Sequence, residues 1–259
     1  MTRSFHRAAL AVSGLLAFAW GVAAAQPAAQ LGALSPENLA KPRPAAPFDL
    51  TGTWQHELRG PQSWKFVPST FELTPEAQAH YDAGQKALAE NKVYRDDIGQ
   101  CWPPGMPLIM TRVHPFVVMH YPTAIYMVSG FINSLRIIYL DGRTHSEPDI
   151  VVPSFNGESI GHFEGDTLVV ETTNFSGERS FRGSGPNLRL TERFRRVADD
   201  LLLYEFTVDD PESFERPWTA QIPSVRVDGL MYEYACHEGN RGMFGILAGA
   251  RAAEAQGER

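Results

Sequence analysis

Cysteine is scarce in this chain, and positive charge is in deficit. Two cysteines, Cys101 and Cys236, stand among 259 residues, and 23 Lys and Arg face 30 Asp and Glu, for a formal net charge of -7. No C-x-x-C pair is present, which excludes thiol redox work of the common kind. An acidic chain with scattered Lys and Arg is a poor partner for nucleic acid or an anionic membrane. No Gly-rich phosphate loop and no G-x-S-x-G elbow occur, so neither a nucleotide cofactor nor α/β-hydrolase chemistry is expected. No two of the eight histidines show the short helical or loop spacing of zinc ligands, so neither a metal nor any other cofactor is expected. After the first residues no apolar stretch of spanning length recurs, so no membrane insertion is expected.

The one long apolar run is "AALAVSGLLAFAWGVAAA", preceded by Arg3 and Arg7 and ending at Ala23-Ala24-Ala25. That pattern reads as a signal peptide over 1–25, and it places the mature protein in the periplasm or outside the cell. Residues 26–47 are rich in Pro and Ala without periodicity and read as a linker. The stretch 48–252 is long enough for one well-cored domain, and 253–259 reads as a flexible tail. In an oxidising compartment Cys101 and Cys236 are expected to form one long-range disulfide.

From Phe48 onward, short alternating runs dominate: "DLTGTWQHE", "PFVVMHY", "AIYMVSG", "LRIIYLDG", "SIGHFEGDTLVVET", "LRLTERFRRV", "DLLLYEFTV" and "GLMYEYACH". They are rich in β-branched and aromatic residues and bounded by Gly, Pro and Asp, which predicts antiparallel strands in an all-β barrel or sandwich. Two helices interrupt the pattern. "TPEAQAHYDAGQKALAEN" has Thr74 to cap and Pro75 at the first helical position, and a short C-terminal helix follows Asn240.

In "SIGHFEGDTLVVET" the turn falls at Gly165-Asp166, so Glu164 pairs with Thr167 and Ile160 with Glu171. One face then carries Gly161, Phe163, Leu168 and Val170, and the other carries Ile160, His162, Glu164, Thr167, Val169 and Glu171. His162 and Glu171 are diagonal neighbours, and a carboxylate beside an imidazole makes a general acid or base. If that face lines a pocket, His162 is the catalytic group; if it meets water, the pair is inert. His237, at the strand-to-helix junction, and Glu205, in phase with Leu203 and Thr207, complete the catalytic candidates. Trp54, His120, Tyr126 and Tyr232 are the candidate walls of a pocket, with Arg136 and Arg143 available for an anionic or enolate-like oxygen.

"CWPPGMP", "RIIYLDGRTH", "SIGHFEGDTLVVETTNF", "LRLTERFRR", "TVDDPESFERPW" and "EYACHEGNRGMFGILAGAR" together resemble a widespread family of exported bacterial proteins, mostly hypothetical. The resemblance covers the chain from about Cys101 onward and implies a shared fold but no known reaction. His162 and Phe163 stand where that family has Arg and Trp, and "GPNLR" stands where His-Ser or His-Thr precedes the strand. "GTW" at Gly52 to Trp54 is similar to the opening of lipocalin-like barrels, where a Trp plugs one end. Two functions are consistent with these features. One is a cofactor-independent lyase, isomerase or cyclase acting on a small hydrophobic or aromatic molecule; the other is a non-catalytic binding protein for the same class of ligand.

Overall fold

A computed structural model describes residues 31–43, 48–57, 65–67, 72–92, 102–147, 150–177, 184–235 and 241–257. The cysteines, the apolar leader, His237 and Asn240 lie outside the described residues. Gly32–Arg259 form one unit; the other, Met1–Leu31, is described only at Leu31.

The strands are β1 (Gly52–His56), β2 (Lys65–Val67), β3 (Phe116–Tyr121), β4 (Ala124–Ser129) and β5 (Leu135–Tyr139), then β6 (Glu158–Glu164), β7 (Thr167–Thr173), β8 (Arg189–Ala198), β9 (Leu201–Asp209) and β10 (Trp218–Arg226). Each of β3 to β9 pairs with the next, and β1 pairs with both β3 and β10, so nine strands close into a barrel and β2 is an addition on β10. The all-β barrel expected from the alternation is therefore the fold.

One seam departs from antiparallel pairing. Strand β6 runs parallel to β5, with Ile138 opposite Ser159 and Tyr139 opposite Ile160. Parallel neighbours cannot be joined by a hairpin, so the chain must cross back along the barrel between Leu140 and Gly157. The described residues that follow β5 pack on the outside. Arg143 lies over the outward-facing ring of Tyr139 at 3.6 Å, and Ser146 donates through both N–H and hydroxyl to the outward-facing Glu158, at 2.8 and 2.7 Å.

The last strand is also displaced from its expected place. "GLMYEYACH" makes no strand among its described residues, and β10 lies instead on "WTAQIPSVR", whose Pro223 reads against a strand interior. Proline is tolerated there because β1 and β2 lie end to end along one edge of β10. The Pro223 carbonyl accepts from Glu57 N at 2.8 Å, so the missing N–H points toward the junction of β1 and β2 and forfeits only a terminal ladder bond.

Alternation fills the barrel. Inward positions carry Trp54, Phe116, Ile138, Leu168, Val170, Leu190, Phe194, Leu202, Tyr204, Phe206, Ala220 and Ile222, all buried in one cluster apart from the small interior polar groups described below. Gly161 is part of this packing: a Cβ there would stand 2.9 Å from Ile138 Cγ2 and 3.0 Å from Leu140 Cδ2. Small residues on the barrel wall make room for large ones opposite.

Helix α1 (Pro36–Leu39), capped by Ser35, falls within the stretch expected to be a linker. Helix α2 (Pro75–Ala89) buries no side chain and hangs from its Thr74 cap, whose hydroxyl donates to the Glu212 carbonyl at 2.7 Å. Helix α3 (Arg241–Ala255) continues three residues past 252, into the stretch expected to be a tail.

Candidate functional site

The hairpin holds its expected register. Glu164 faces Thr167, Ile160 faces Glu171, and only the first turn residue, Gly165, takes a positive φ, 60°, the pattern of a type II′ turn. Its polar face is the outer surface of the barrel. His162 is exposed, with 55% of its side chain accessible, and its Nε2 lies 3.3 Å from Glu164 Oε1 rather than beside Glu171. Arg193, from the neighbouring β8, donates twice to the other Glu164 oxygen at 2.9 Å. The expected His162–Glu171 pair is thus corrected to an exposed His162–Glu164–Arg193 group. It arises because residues two apart on one strand share a face as readily as cross-strand diagonals do.

Most other candidates are dispersed by the closure of the barrel. Glu205 faces outward and accepts from Gln221 at 3.2 Å. Tyr126 and Arg143 are on the outer face, Arg143 held in a fork by Asp141 at 2.6 to 3.2 Å. Tyr232 is 78% exposed. Trp54 is fully buried, stands opposite Phe116 and Arg226 in register, and donates from Nε1 to the Leu50 carbonyl at 3.0 Å. His120 meets the same Leu50: its Nδ1 accepts from Leu50 N at 3.5 Å and its ring stacks on Phe163. Burial lowers His120 to about 4, partly offset by Asp49.

Arg136 alone among them enters the interior as a polar group with a cavity beside it. It is 5% exposed, forms a double hydrogen bond to fully buried Glu192, and donates to Ser159 Oγ at 3.0 Å and Thr172 Oγ1 at 2.9 Å. Tyr204 completes the cluster by donating to Glu192 Oε1 at 2.8 Å. Burial, and then the Glu192 charge, push the Tyr204 hydroxyl well above its ordinary pKa, so it stays a donor. Nearby, His56 meets the Ser224 hydroxyl at 2.6 Å and packs against Phe116 and Tyr204; burial lowers it to about 3 and keeps it neutral.

Next to Arg136, at the end where β3 and β5 begin, lies a cavity of about 10 Å³, room for about one water. Its apolar walls are Met106, Met110, Met127, Ile109 and Phe116, and its polar walls are Arg136, Asn156, Ser129 and Ser134. The segment that closes this end is held by the Met106 N–H donating to the Phe155 carbonyl at 3.1 Å. Gly105 adopts φ 67° there, and a Cβ would fall 2.2 Å from that same carbonyl oxygen. Sequence reading passed over Glu192, Tyr204, Asn156 and the methionines. The signal was available for Glu192, which stands in phase with Leu190 and Phe194.

The half-buried His145–Glu158 contact, 3.4 Å, is the closest counterpart of the histidine–carboxylate pair sought on the hairpin. Glu158 also accepts from Ser146 and from Asn174 at 3.0 Å, so the cluster serves to clasp the crossover. Among the described residues no three of His, Cys, Asp and Glu are placed to hold a metal ion. No protein-family model matches the chain, and no curated protein does.

Proposed function

We propose that this chain is an exported barrel protein that binds a small hydrophobic or aromatic molecule at the Arg136 end of the barrel. The observation that carries this reading is the composition of the cavity wall. Three methionines, Ile109 and Phe116 surround a space whose sole ionisable wall residue, among the described residues, is Arg136. Apolar walls with a few convergent polar groups are the usual make-up of a small-molecule site. Unbranched, flexible thioether side chains let such a site enlarge from its closed volume by rotamer change. Binding is favoured over turnover because proton transfer needs a positioned acid or base with access to the ligand, and among its described residues the wall offers none besides the guanidinium.

The test is native mass spectrometry of the mature protein purified from its own culture medium or periplasm, with 13C-methyl methionine NMR on added aromatic probes. A retained small molecule, with shifts at Met106, Met110 and Met127, is expected. Methionine signals that stay unchanged across a broad probe panel, with no retained mass, would reject the site. A second reading, turnover by acid–base chemistry, draws on Glu192 and Tyr204, which meet behind Arg136. It predicts that a bound compound is converted by the wild type and not by Glu192→Gln.

A further inference from the structure

Independently of the cavity, we infer that the outer face of β3–β5 is a dimerisation surface, and that helix α3 of a second copy of this chain lies on it, each copy covering the other.

The positions that face outward on β3, β4 and β5 carry no charged side chain. Met119, Tyr126 and Ile137 stand opposite one another in one row, and Tyr121 and Tyr139 flank Ala124 in the next. All five large side chains are partly exposed. The outer wall of β6 to β9 is of the opposite kind, with His162, Glu164, Glu171, Arg193, Arg195 and Glu205. At the β5 edge of the apolar face stands Arg143, whose charge Asp141 already matches. A contiguous apolar face rimmed by polar groups is the mark of a contact surface.

Helix α3 has the complementary shape. At 3.6 residues per turn, Gly245, Ala248, Gly249 and Ala252 form one stripe, Phe244 and Ile246 flank it, and Arg251 and Glu254 fall outside it. Interior glycines weaken a helix, so two of them one turn apart need a reason in packing. Within one copy none is found: among the described residues nothing lies within 4 Å of a Cβ added at either, and Phe244 is 78% exposed. A stripe of small residues lets the helix backbone come close to bulky side chains, which are what β3–β5 present.

Charge and area select a second copy as the source of that helix. The chain carries a net charge of -7, so two copies meet best through surfaces without charge. Three strands of this length make a face of roughly 14 by 20 Å, and two such faces stacked on each other would bury only about 600 Å², below the about 1,000 Å² that a specific contact needs. With its 15 residues α3 is about 22 Å long, the length of the face. Exchanged in both directions, it gives two helix-on-sheet contacts and roughly 1,000 Å² in all. Reciprocal exchange also closes the assembly at two copies.

The experiment is sedimentation equilibrium on the mature protein across concentration, with circular dichroism to verify folding. Wild type is expected to approach twice the chain mass below about 1 mM. Tyr126→Lys places a charge at the centre of the face. Gly249→Leu fills the stripe at a position that is open within one copy, and it strengthens the helix, so it keeps the test available if Tyr126→Lys does not fold. Each is expected to weaken the dimer at least about tenfold. An equimolar mixture of the two should dimerise more tightly than either alone, because the mixed pair keeps one intact helix and one intact face. A wild type that stays monomeric throughout overturns the inference, as does a dimer that Gly249→Leu leaves unchanged. Failure of the mixture to recover any dimer would show faces stacked on each other and overturn the helix as occupant. Binding of monomeric wild type to phosphatidylcholine vesicles, lost in both variants, would assign the surfaces to a bilayer instead.

Discussion

At the scale of single residues, the decisive feature is a charge pair in a place where apolar fill would be cheaper. Arg136 and Glu192 are 56 positions apart in sequence and meet only inside the closed barrel. Removing one partner leaves an unpaired buried charge, so Arg136→Met is expected to destabilise by about 3–5 kcal/mol in denaturant unfolding. Adding Glu192→Leu to it should restore much of that loss; a double variant as unstable as the single one would mean that the hydrogen bonds of Ser159 and Thr172, not the unpaired charge, set the cost. His162→Gln is the contrasting case. Its exposed side chain predicts a shift of less than about half a kcal/mol by the same measurement, and a larger change would show that the outer face is covered in solution. Both residues were visible in the alternation, but parity says only which side a residue faces. Arg136 was in phase with Ile138, and Glu192 with Leu190 and Phe194, yet nothing local indicated that these two would be each other's partner.

Elements add constraints that no single residue carries. The crossover from β5 to β6 is closed by Glu158, which burial would raise but which the Ser146, Asn174 and His145 donors hold below its ordinary carboxylate pKa. A depressed carboxylate contributes stability above its unfolded pKa, and that contribution is lost as pH falls through the folded value. Amide exchange at Ser146 is therefore expected to accelerate in Glu158→Ala, and in the wild type as the solution becomes acidic; equal protection in both proteins at neutral pH would show that the clasp is not what holds the crossover. Closure of the cavity end depends on Gly105. Gly105→Ala forces a left-handed residue against the Phe155 carbonyl and should cost roughly 1–3 kcal/mol, with faster exchange at Met106. A hairpin such as β6–β7 is legible from sequence because its turn and alternation are local. The parallel seam was not, since a long connection reads the same whether it returns beside its own strand or across the outside.

For the whole molecule, the buried neutral histidines set the response to acid. His56 is lowered to about 3 and His120 to about 4, both by burial first. A histidine whose folded pKa lies below its unfolded one binds its proton more readily when unfolded, so its contribution is complete above about pH 6.5 and is lost as pH falls toward the folded value. Unfolding free energy is expected to drop steeply between about pH 6.5 and 4, with Asp49 and Arg43 near His120 modifying the profile. A urea midpoint that stays flat across that interval would contradict the burial of both rings. In a variant carrying His120→Phe, the slope should be shallower while the barrel persists.

Alternation, turn residues and caps are properties of neighbouring positions, so the strands β1 and β3 to β9, the two larger helices and the hairpin register were determined by the sequence by itself. The barrel as a class followed from them. Three matters were decided only by tertiary structure. Closure through β1 placed Trp54 between Arg226 of β10 and Phe116, a wall of the Arg136 cavity. The direction of β6 sent the crossover outside, where it took up Arg143, His145 and Glu158. The pairing of β10 with two end-to-end strands gave Pro223 a place inside a sheet. The common reason is range: a two-residue period fixes which side a group faces, while partners across a barrel depend on how every strand is aligned with the next.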